Sequence, residues 1–186
     1  MPDGDSARYF EKCPFRVEKK NVLELGAGCG LAGIATVILR ANCVVMTDVA
    51  PVISNLKQNV QLHEEFFPGD ARVFCRTCDW RVHPPPSWSD LLGVENVPLN
   101  VILVADCVWV EELVEPLLKM LRHFVDEEKD FEVVVYVSYQ QRGRAAHERF
   151  WEGIEEFMTV RKIDLKGEAG LVVPQILSLF ECYRRS

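Results

Sequence analysis

The chain has 186 residues, a length that fits one domain, and its composition is 48% hydrophobic and 26% charged. That composition supplies enough apolar side chains for a buried core and excludes a disordered or collagen-like chain. A formal net charge of −7 disfavours non-specific binding to nucleic acids, because such binding depends on Lys and Arg contacts with phosphates.

Short β-type runs alternate with amphipathic segments of helical period, a pattern that predicts an α/β fold built around a mostly parallel sheet. In the first half of the chain, this periodicity predicts three strands and two helices. The strands are Val22 to Leu25, Val44 to Thr47 and Ala71 to Cys75; one helix covers Leu31 to Arg40, and in the other Ile53, Leu56 and Val60 share a face. A glycine-rich turn joins the first strand to the first helix.

A long stretch separates the third predicted strand from the fourth. It contains Pro84-Pro85-Pro86, Trp88 and Pro98. Because it is too apolar for a flexible tether between domains, we predict that it forms a lid or an insertion over one end of the sheet.

The second half continues the alternation and then departs from it. A fourth strand at Val101 to Ala105 precedes a helix with Pro116 in its first turn and with Leu117, Leu121 and Phe124 on one face. A strand at Phe131 to Tyr139 and a helix near Ala145 to Met158 follow. The last two strands, Val160 to Leu165 and Ile176 to Tyr183, are predicted to be joined by a loop without a helix and to pair as an antiparallel hairpin.

The strongest chemical signal is the sequence Glu24-Leu-Gly26-Ala27-Gly28-Cys-Gly30 between the first strand and the first helix. Glycines let the backbone approach a ligand more closely than a side chain would permit. Asp48 and Asp106 each follow a strand, and the carboxyl ends of parallel strands meet at the edge of the sheet where α/β proteins bind ligands. We therefore expect a crevice lined by this loop and both aspartates.

The loop spacing fits two kinds of ligand. Gly28-Cys-Gly30-Leu-Ala-Gly33 matches the GxGxxG pattern of dinucleotide sites, and Asp48 lies 20 residues after Gly28, where such sites have a ribose-binding acid. Glu24 favours the other kind, because a carboxylate just before the loop repels a pyrophosphate and attracts a cation. S-adenosylmethionine has an ammonium and a sulfonium group and no phosphate, so the sequence favours this methyl donor over a nicotinamide dinucleotide.

The seven cysteines are odd in number and lie largely within apolar patterns, which is typical of free thiols in a reducing compartment. Cys75-Arg-Thr-Cys78 has the spacing of half a zinc site, but the sequence has no second such pair, and we predict no metal. The first 20 residues lack a secretory signal, and the longest apolar runs are too short to cross a membrane. We therefore expect a cytoplasmic protein, with the nucleus as an alternative, and no membrane contact.

Four segments of the sequence resemble one enzyme family: ELGAGCGLAGI from Glu24, Asp48, the pair Asp79-Trp80, and ADCVW from Ala105 to Trp109. They are similar to the seven-strand S-adenosylmethionine-dependent methyltransferases and, more narrowly, to the protein-lysine branch known as methyltransferase family 16. The resemblance covers nearly the whole chain. It implies a single domain over residues 1–186 with a Rossmann-like, seven-stranded, mostly parallel sheet, helices on both faces and a C-terminal antiparallel strand pair.

The resemblance also implies an activity and a set of site residues. The activity is methyl transfer from S-adenosylmethionine to a side-chain amine, that of lysine, in a protein substrate; no nucleic-acid partner is expected, and the protein is expected to be a monomer. Asp48 would bind the ribose hydroxyls and Trp80 the adenine. Asp106 would hold and aim the amine, with Trp109 as a wall of the acceptor pocket. The other implied cofactor contacts are Glu24, Gly26, Ala27, Gly28, Gly30, Asp79 and Ala105.

Two features depart from the family pattern. Trp109 stands where the family usually has tyrosine, and only 21 residues, without a tryptophan, precede Val22, so the chain resembles a truncated or minimal member. These departures motivate a second hypothesis, a non-catalytic module that keeps the fold and acts through a partner. A third hypothesis, methylation of a small molecule, requires an enclosed pocket, which the loop from Arg81 to Asn100 would have to form.

Overall fold

One mixed sheet lies at the centre of the part of the chain that the computed structural model describes, residues 2–128, 131–172 and 177–185. Its seven strands within these residues are β1 (Asn21–Leu25), β2 (Cys43–Asp48), β3 (Arg72–Thr77), β4 (Val101–Ala105), β5 (Val134–Gln140), β6 (Met158–Lys162) and β7 (Leu177–Arg184). Their order is β3-β2-β1-β4-β5-β7-β6. The first five are parallel, and β7 is antiparallel to both of its neighbours. The predicted α/β class and the C-terminal antiparallel pair are confirmed.

Helices cover both faces of the sheet. Those described are α1 (Pro2–Lys12), α2 (Leu31–Ile38), α3 (Ala50–Leu62), α4 (Trp88–Leu92), α5 (Glu111–Glu127), α6 (Arg144–Glu155) and α7 (Leu165–Ala169). One core lies under α4, α5 and α6, and the other lies under α1, α2, α3 and α7. Accordingly, β1 and β4 are buried along their whole length. Every helix in the described part of the chain is too short or too polar to span a lipid bilayer.

The strand order reverses between β1 and β4. Strand β1 pairs with β2 on one side and with β4 on the other. Strands β2 and β3 extend the sheet on the first side, and the strands from β4 onward extend it on the second. In such sheets, ligands bind outside the carboxyl ends of the strands at the point of reversal. Gly26, Asp48 and Asp106 therefore lie at the edge of the sheet where a ligand site is expected.

The predicted position of Pro116 in the first turn of α5 is wrong. The helix begins at Glu111, so Pro116 lies in its second turn, where a proline cannot donate the usual hydrogen bond to the preceding turn. Glu111 and Glu112 suit the positive end of the helix dipole. The proline alone would disfavour a helix here. The helix is stabilised because its buried face, from Val114 to Val125, packs against the core.

The predicted loop between the last two strands is also wrong, because it contains α7. Asp164 caps this helix: its carboxylate accepts a hydrogen bond from the Gly167 N–H at 3.0 Å. Leu165, predicted as the last residue of a strand, is instead a buried residue at the start of α7. The predicted start of the final strand at Ile176 lies outside the described residues.

The long stretch before β4 starts at the carboxyl end of β3 and forms an insertion that packs against the end of α5. Ser87 opens α4 with a capping box in which it exchanges hydrogen bonds with Asp90. Trp88 is 3% exposed, and its backbone N–H donates to the Glu127 carboxylate, at the end of α5, at 3.1 Å. Because α5 ends shortly before β5 begins, the start of α4 lies toward the amino ends of the strands, and its Leu91 carbonyl accepts a hydrogen bond from Arg76 of β3 at 3.0 Å. Of the two predicted alternatives, the described residues show the insertion, and α4 does not line the cavity at the carboxyl ends of the strands.

A buried ion-pair cluster ties β7 to the N-terminal segment. Glu181 is 2% exposed, accepts a hydrogen bond from Arg161 and lies 3.4 Å from Arg16. Glu181→Gln removes the negative charge with which both guanidinium groups interact. We expect it to lower the free energy of unfolding by about 2 kcal/mol, less than the roughly 3–5 kcal/mol of a fully buried pair, because both arginines are partly exposed.

Urea unfolding measures this change, with Glu152→Gln on the exposed face of α6 as the matched control. The control should change the free energy of unfolding by less than about 0.5 kcal/mol. Equal effects of the two substitutions would show that the cluster adds no net stability.

Candidate active site

A cavity of about 280 Å³ lies at the carboxyl ends of β1, β2 and β3. Its walls come from the glycine loop after β1, the end of β2, the segment after β3 and one residue of α5. The lining residues are Gly26, Asp48, Val49, Cys78, Asp79, Trp80, Arg81 and Leu113. The structure therefore brings together four of the residues predicted from the sequence, at the point where the strand order reverses.

The glycine loop is held to the end of β2 by Asp48. The Gly28 N–H donates to Asp48 Oδ2 at 2.8 Å, and the Val49 N–H donates to Asp48 Oδ1 at 2.7 Å. Gly28 has a φ of +55°, and a Cβ added there would meet nothing within 4 Å. The loop at Gly28 thus presents a cradle of bare backbone to open space, and Gly26 is the loop residue that lines the cavity itself.

The hydrogen bonds of the loop disfavour a phosphate ligand. Besides the bond from Gly28, the Ala27 N–H donates to the Thr47 carbonyl at 2.9 Å, and the Gly30 N–H donates to the Ala27 carbonyl at 2.7 Å. A phosphate site needs loop N–H groups that are free to bind phosphate oxygens. Here a carboxylate holds one of these groups and would repel an anion. The geometry therefore favours a ligand without phosphate.

Glu24 lies under α2 and connects β1 to the first turn of that helix. Side chains alternate along β1, so Glu24 points to the face that α2 covers, and it is 1% exposed. Its Oε2 accepts the Gly33 N–H in the first turn of α2 at 3.0 Å, and a Cβ on Gly33 would lie 2.4 Å from that oxygen. Glu24 is not among the residues that line the cavity, and its contact with the cofactor stays a prediction. Its contact with Gly33 fixes α2 against the loop.

Trp80 forms the wall of the cavity that faces the loop. Its six-membered ring lies 2.9 Å from the position that a Cβ on Gly26 would take. The Trp80 Nε1 is buried and has no hydrogen-bond partner among the described residues. A flat ring with an unused donor suits a planar, polar ligand, whose acceptor would satisfy the indole N–H.

Asp79 lines the same cavity but is paired with Arg81. Arg81 donates from Nε to Oδ1 at 2.9 Å and from its terminal nitrogen to Oδ2 at 2.7 Å. These bonds from Arg81 lower the pKa of Asp79 to about 2, so the carboxyl is charged at neutral pH and the guanidinium balances it. Asp48 is the lining carboxylate that has no cationic partner within the described ranges.

Asp106 has an unusual backbone conformation at the end of β4. Its φ is +56°, a left-handed value that is uncommon for a residue other than glycine. Its N–H donates to the Ser138 carbonyl of β5 at 2.7 Å. Oδ2 accepts a hydrogen bond from Arg142, whereas Oδ1 is buried without a hydrogen-bond partner in the described part of the chain. This oxygen is suited to bind a donor that arrives with a ligand.

Comparison with protein families identifies the family of the chain. A family model described as lysine methyltransferase matches residues 6–157. The chain belongs to the lysine methyltransferase family. The match includes the glycine loop, Asp48, Trp80 and Asp106, so it covers the segments that build the candidate site.

Curated relatives of this chain have names that correspond to the family. The chain is 33% identical over 111 residues to the protein-lysine N-methyltransferase rrg1 of Schizosaccharomyces pombe, over 56% of this chain and 34% of the relative. It is 30% identical over 154 residues to the protein-lysine N-methyltransferase EFM6 of Saccharomyces cerevisiae, over 77% of this chain and 58% of the relative. The chain thus spans less than two thirds of the length of either relative.

A solved structure shares the fold of this chain. The magnesium protoporphyrin IX methyltransferase ChlM from Synechocystis PCC 6803, solved with bound SAH, has a TM-score of 0.61 at 13% identity, over 97% of this chain and 81% of that chain. At this identity the likeness concerns the fold alone. It confirms the Rossmann-like sheet that the resemblance implied.

The end of β4 and the segment that follows it contain the remaining predicted residues. Ala105 is 9% exposed, and the Cys107 thiol donates to the Leu25 carbonyl at 3.2 Å, which joins this segment to the end of β1. Trp109 is 55% exposed and does not line the cavity described above. Its role as a wall of the acceptor pocket stays a prediction.

Several residues of the site were not predicted. Leu113 and Arg81 line the cavity, and Arg142 pairs with Asp106. The short spacing from Asp79 to Arg81 is a local signal that could have indicated that pair. Asp106 and Arg142 are 36 positions apart and meet because β4 and β5 are neighbours, so no local pattern reveals their contact.

Cys75 and Cys78 do not form a joint site. Cys75 packs against the core under α2 and α3, whereas Cys78 lies in the core on the opposite face of the sheet. Burial raises the pKa of Cys78 to about 11, which keeps this thiol protonated at neutral pH. Among the described residues, no group of three or more His, Cys, Asp or Glu side chains is placed to hold a metal ion.

Proposed function

We propose that this chain is an S-adenosylmethionine-dependent protein-lysine N-methyltransferase. The proposal rests on two features that lie next to each other. Asp48 holds the bare glycine cradle after β1, and Asp106, at the end of the neighbouring strand β4, has a buried oxygen without a partner among the described residues. The cradle suits a cationic ligand without phosphate, and the oxygen suits an amine. Family membership and the names of the relatives support this reaction.

The cavity residues fit S-adenosylmethionine. Asp48 offers a carboxylate for ribose hydroxyls, and Trp80 offers a ring face and the Nε1–H to the adenine. When bound, this cofactor supplies a methyl group that is activated by a positively charged sulfur. The backbone proposed to hold the ligand is that of Gly26, Ala27, Gly28, Gly30 and Ala105.

Asp106 is the proposed residue on the acceptor side. Methyl transfer needs a neutral amine with its lone pair aligned, and such alignment is worth roughly 7–11 kcal/mol in favourable cases. Asp106 Oδ1 would accept a hydrogen bond from the amine and thereby aim it. An ionised carboxylate by itself would keep the amine protonated, but Arg142 on the other oxygen offsets that charge. Trp109, on the turn that follows, would flank the amine.

Isothermal titration calorimetry tests the choice of cofactor. We expect the 186-residue chain to bind S-adenosylmethionine in the micromolar range and to show no measurable heat with a nicotinamide dinucleotide, since the cradle carries a carboxylate. Micromolar binding of the dinucleotide alone would overturn the proposal.

Turnover distinguishes an enzyme from a binding module. The assay supplies the chain with S-adenosylmethionine labelled on its methyl group and with a library of cell-extract proteins, and we expect the label on lysine side chains. Cofactor binding without any transfer would instead favour the non-catalytic module. Methylation of small molecules alone would favour the third hypothesis, although α4 packs at the amino end of the sheet and does not enclose the site.

We also propose that residues 1–186 form one domain, monomeric and located in the cytoplasm. All seven cysteines are free, which supports a reducing compartment. Light scattering of the purified chain tests the monomeric state, and microscopy of a fluorescently tagged version tests the location.

A further inference from the structure

A second cavity, of about 550 Å³, lies at the carboxyl end of β5 beside the start of α6. We call it the basic groove and define it by Arg142, Arg144, His147 and Lys162. Within the described ranges no carboxylate lines it, although the whole chain has a net charge of −7. Arg142 and Arg144 each pair with a carboxylate outside the lining, Asp106 and Glu148, so the lining itself carries cationic side chains only. Cationic side chains gathered in one groove on an acidic chain are typical of a surface that binds an anionic partner.

Arg144 occupies a position that helix stability does not favour. It is the first residue of α6, whose first turn contains no acidic residue and whose N-cap, Gly143, offers no side-chain hydrogen bond. A cation at the positive end of a helix dipole is unfavourable. Its carboxylate partner is Glu148 at 2.7 Å, and the Arg144 side chain is 86% exposed, so an incoming carboxylate can reach it.

Lys162 adds a charge that the described part of the chain does not neutralise. Its ammonium lies 5.7 Å from the centre of the Phe180 ring, and it takes part in none of the ion pairs formed by the described residues. His147, on the same wall, is hydrogen-bonded to Tyr139. Lys162 is therefore available to a carboxylate from outside the chain.

Arg142 connects the basic groove to the proposed acceptor site. It lines the groove and donates to Asp106 Oδ2. An amine on Asp106 Oδ1 leaves this bond to Oδ2 in place. The Arg142 side chain is 45% exposed and its guanidinium has further N–H groups, so an acidic side chain next to the amine can bind Arg142 while Arg142 stays on Asp106.

We propose that the basic groove binds acidic side chains next to the acceptor lysine, so that the substrate is an acidic segment of a protein. This inference rests on the proposed function and adds the chemical class of its substrate. An acidic protein segment fits better than a nucleic acid, because the net charge of −7 repels an extended polyanion, whereas a short segment meets the groove alone.

Fluorescence anisotropy tests the binding without relying on catalysis. One labelled peptide has a central lysine with two glutamates on each side, and the other has glutamines in their place. At low salt we expect the 186-residue chain to bind the glutamate peptide at least about tenfold more tightly. Lys162→Glu and Arg144→Glu should each reduce this preference severalfold. Lys20→Glu changes an exposed lysine at the opposite end of the sheet and should keep it.

Three outcomes of the anisotropy experiment would overturn the inference. They are equal affinities for the two peptides, the same loss of preference in Lys20→Glu, and tighter binding of a single-stranded RNA oligomer than of the glutamate peptide.

Methyl transfer to the same peptides separates failure of this inference from failure of the proposed function. We expect a lower KM for the glutamate peptide, and we expect Lys162→Glu to raise that KM about tenfold while Lys20→Glu leaves it unchanged. Equal KM values for the two peptides would overturn the inference and leave the proposed function intact. Absence of transfer to any lysine, with the preference in anisotropy still present, would overturn the proposed function and leave the groove as a binding surface for acidic segments.

Discussion

Replacement of Asp106 by asparagine should lower kcat/KM for methyl transfer by about 10- to 100-fold and leave the dissociation constant of S-adenosylmethionine within a factor of about three. A hydrogen bond to a charged group contributes about 1.5–3 kcal/mol, which corresponds to that range of rates. Asp106 Oδ1 is buried without a partner among the described residues, and Asp106 does not line the cavity proposed for the cofactor. Its loss should therefore affect the acceptor side.

Asparagine is the appropriate substitution because it tolerates the left-handed backbone at φ +56°. Alanine at the same position adds a backbone strain of about 1 kcal/mol to the loss of the carboxylate. Steady-state kinetics and calorimetry on the same preparations provide the two readouts. Asp48→Asn is the companion variant and should weaken cofactor binding. Equal weakening of cofactor binding in both variants, with unchanged unfolding temperatures, would show that the two roles are divided wrongly.

Replacement of Gly28 by leucine should weaken S-adenosylmethionine binding by about 100-fold or more. A Cβ at Gly28 projects into open space in front of the loop, so the leucine occupies the volume proposed for the ligand without a clash inside the protein. A 100-fold weaker dissociation constant corresponds to about 3 kcal/mol of binding free energy, which is lost because the leucine displaces the ligand from its contacts with the loop. Calorimetric titration with S-adenosylmethionine measures the affinity.

Gly93 supplies the matched control for backbone strain. It has a φ of +77° and, like Gly28, no atom within 4 Å of an added Cβ, but it ends α4 at the amino end of the sheet. Both leucine variants should lose about 1–2 kcal/mol of stability because both force a side chain into the left-handed region. Only Gly28→Leu should lose the ligand. If Gly93→Leu weakened binding as much, strain in the fold would explain the result and the cradle would have no support.

The strands of the sheet could be predicted from the sequence because strands buried on both faces are continuous apolar runs. Val101–Ala105 was predicted with its observed bounds for this reason. The errors concern elements that tertiary packing decides. Leu165 continues an apolar alternation typical of a strand, yet the cap from Asp164 starts a helix there. Pro116 resembles a helix start, but α5 begins before it, at Glu111.

The sequence predicted those site residues that follow adjacent parallel strands. Gly26, Asp48 and Trp80 meet in one cavity because their strands are adjacent and parallel. The orientation of Glu24 could not be read from the sequence, since it depends on which face of β1 the helix α2 covers. The carboxylate that disfavours phosphate in the structure is that of Asp48, whose bond to the loop depends on the register of β1 and β2.

The place of β7 between β5 and β6 fixes the order in which the sheet can be completed. Translation delivers β6 before β7, yet within the described ranges β6 pairs with β7 and not with β5. On the ribosome, β5 therefore keeps an open edge, and β6 has no strand to join, until β7 has left the exit tunnel. The strands β1 to β4, whose ends hold the candidate site, can thus pair on the nascent chain before β7 joins the sheet between β5 and β6.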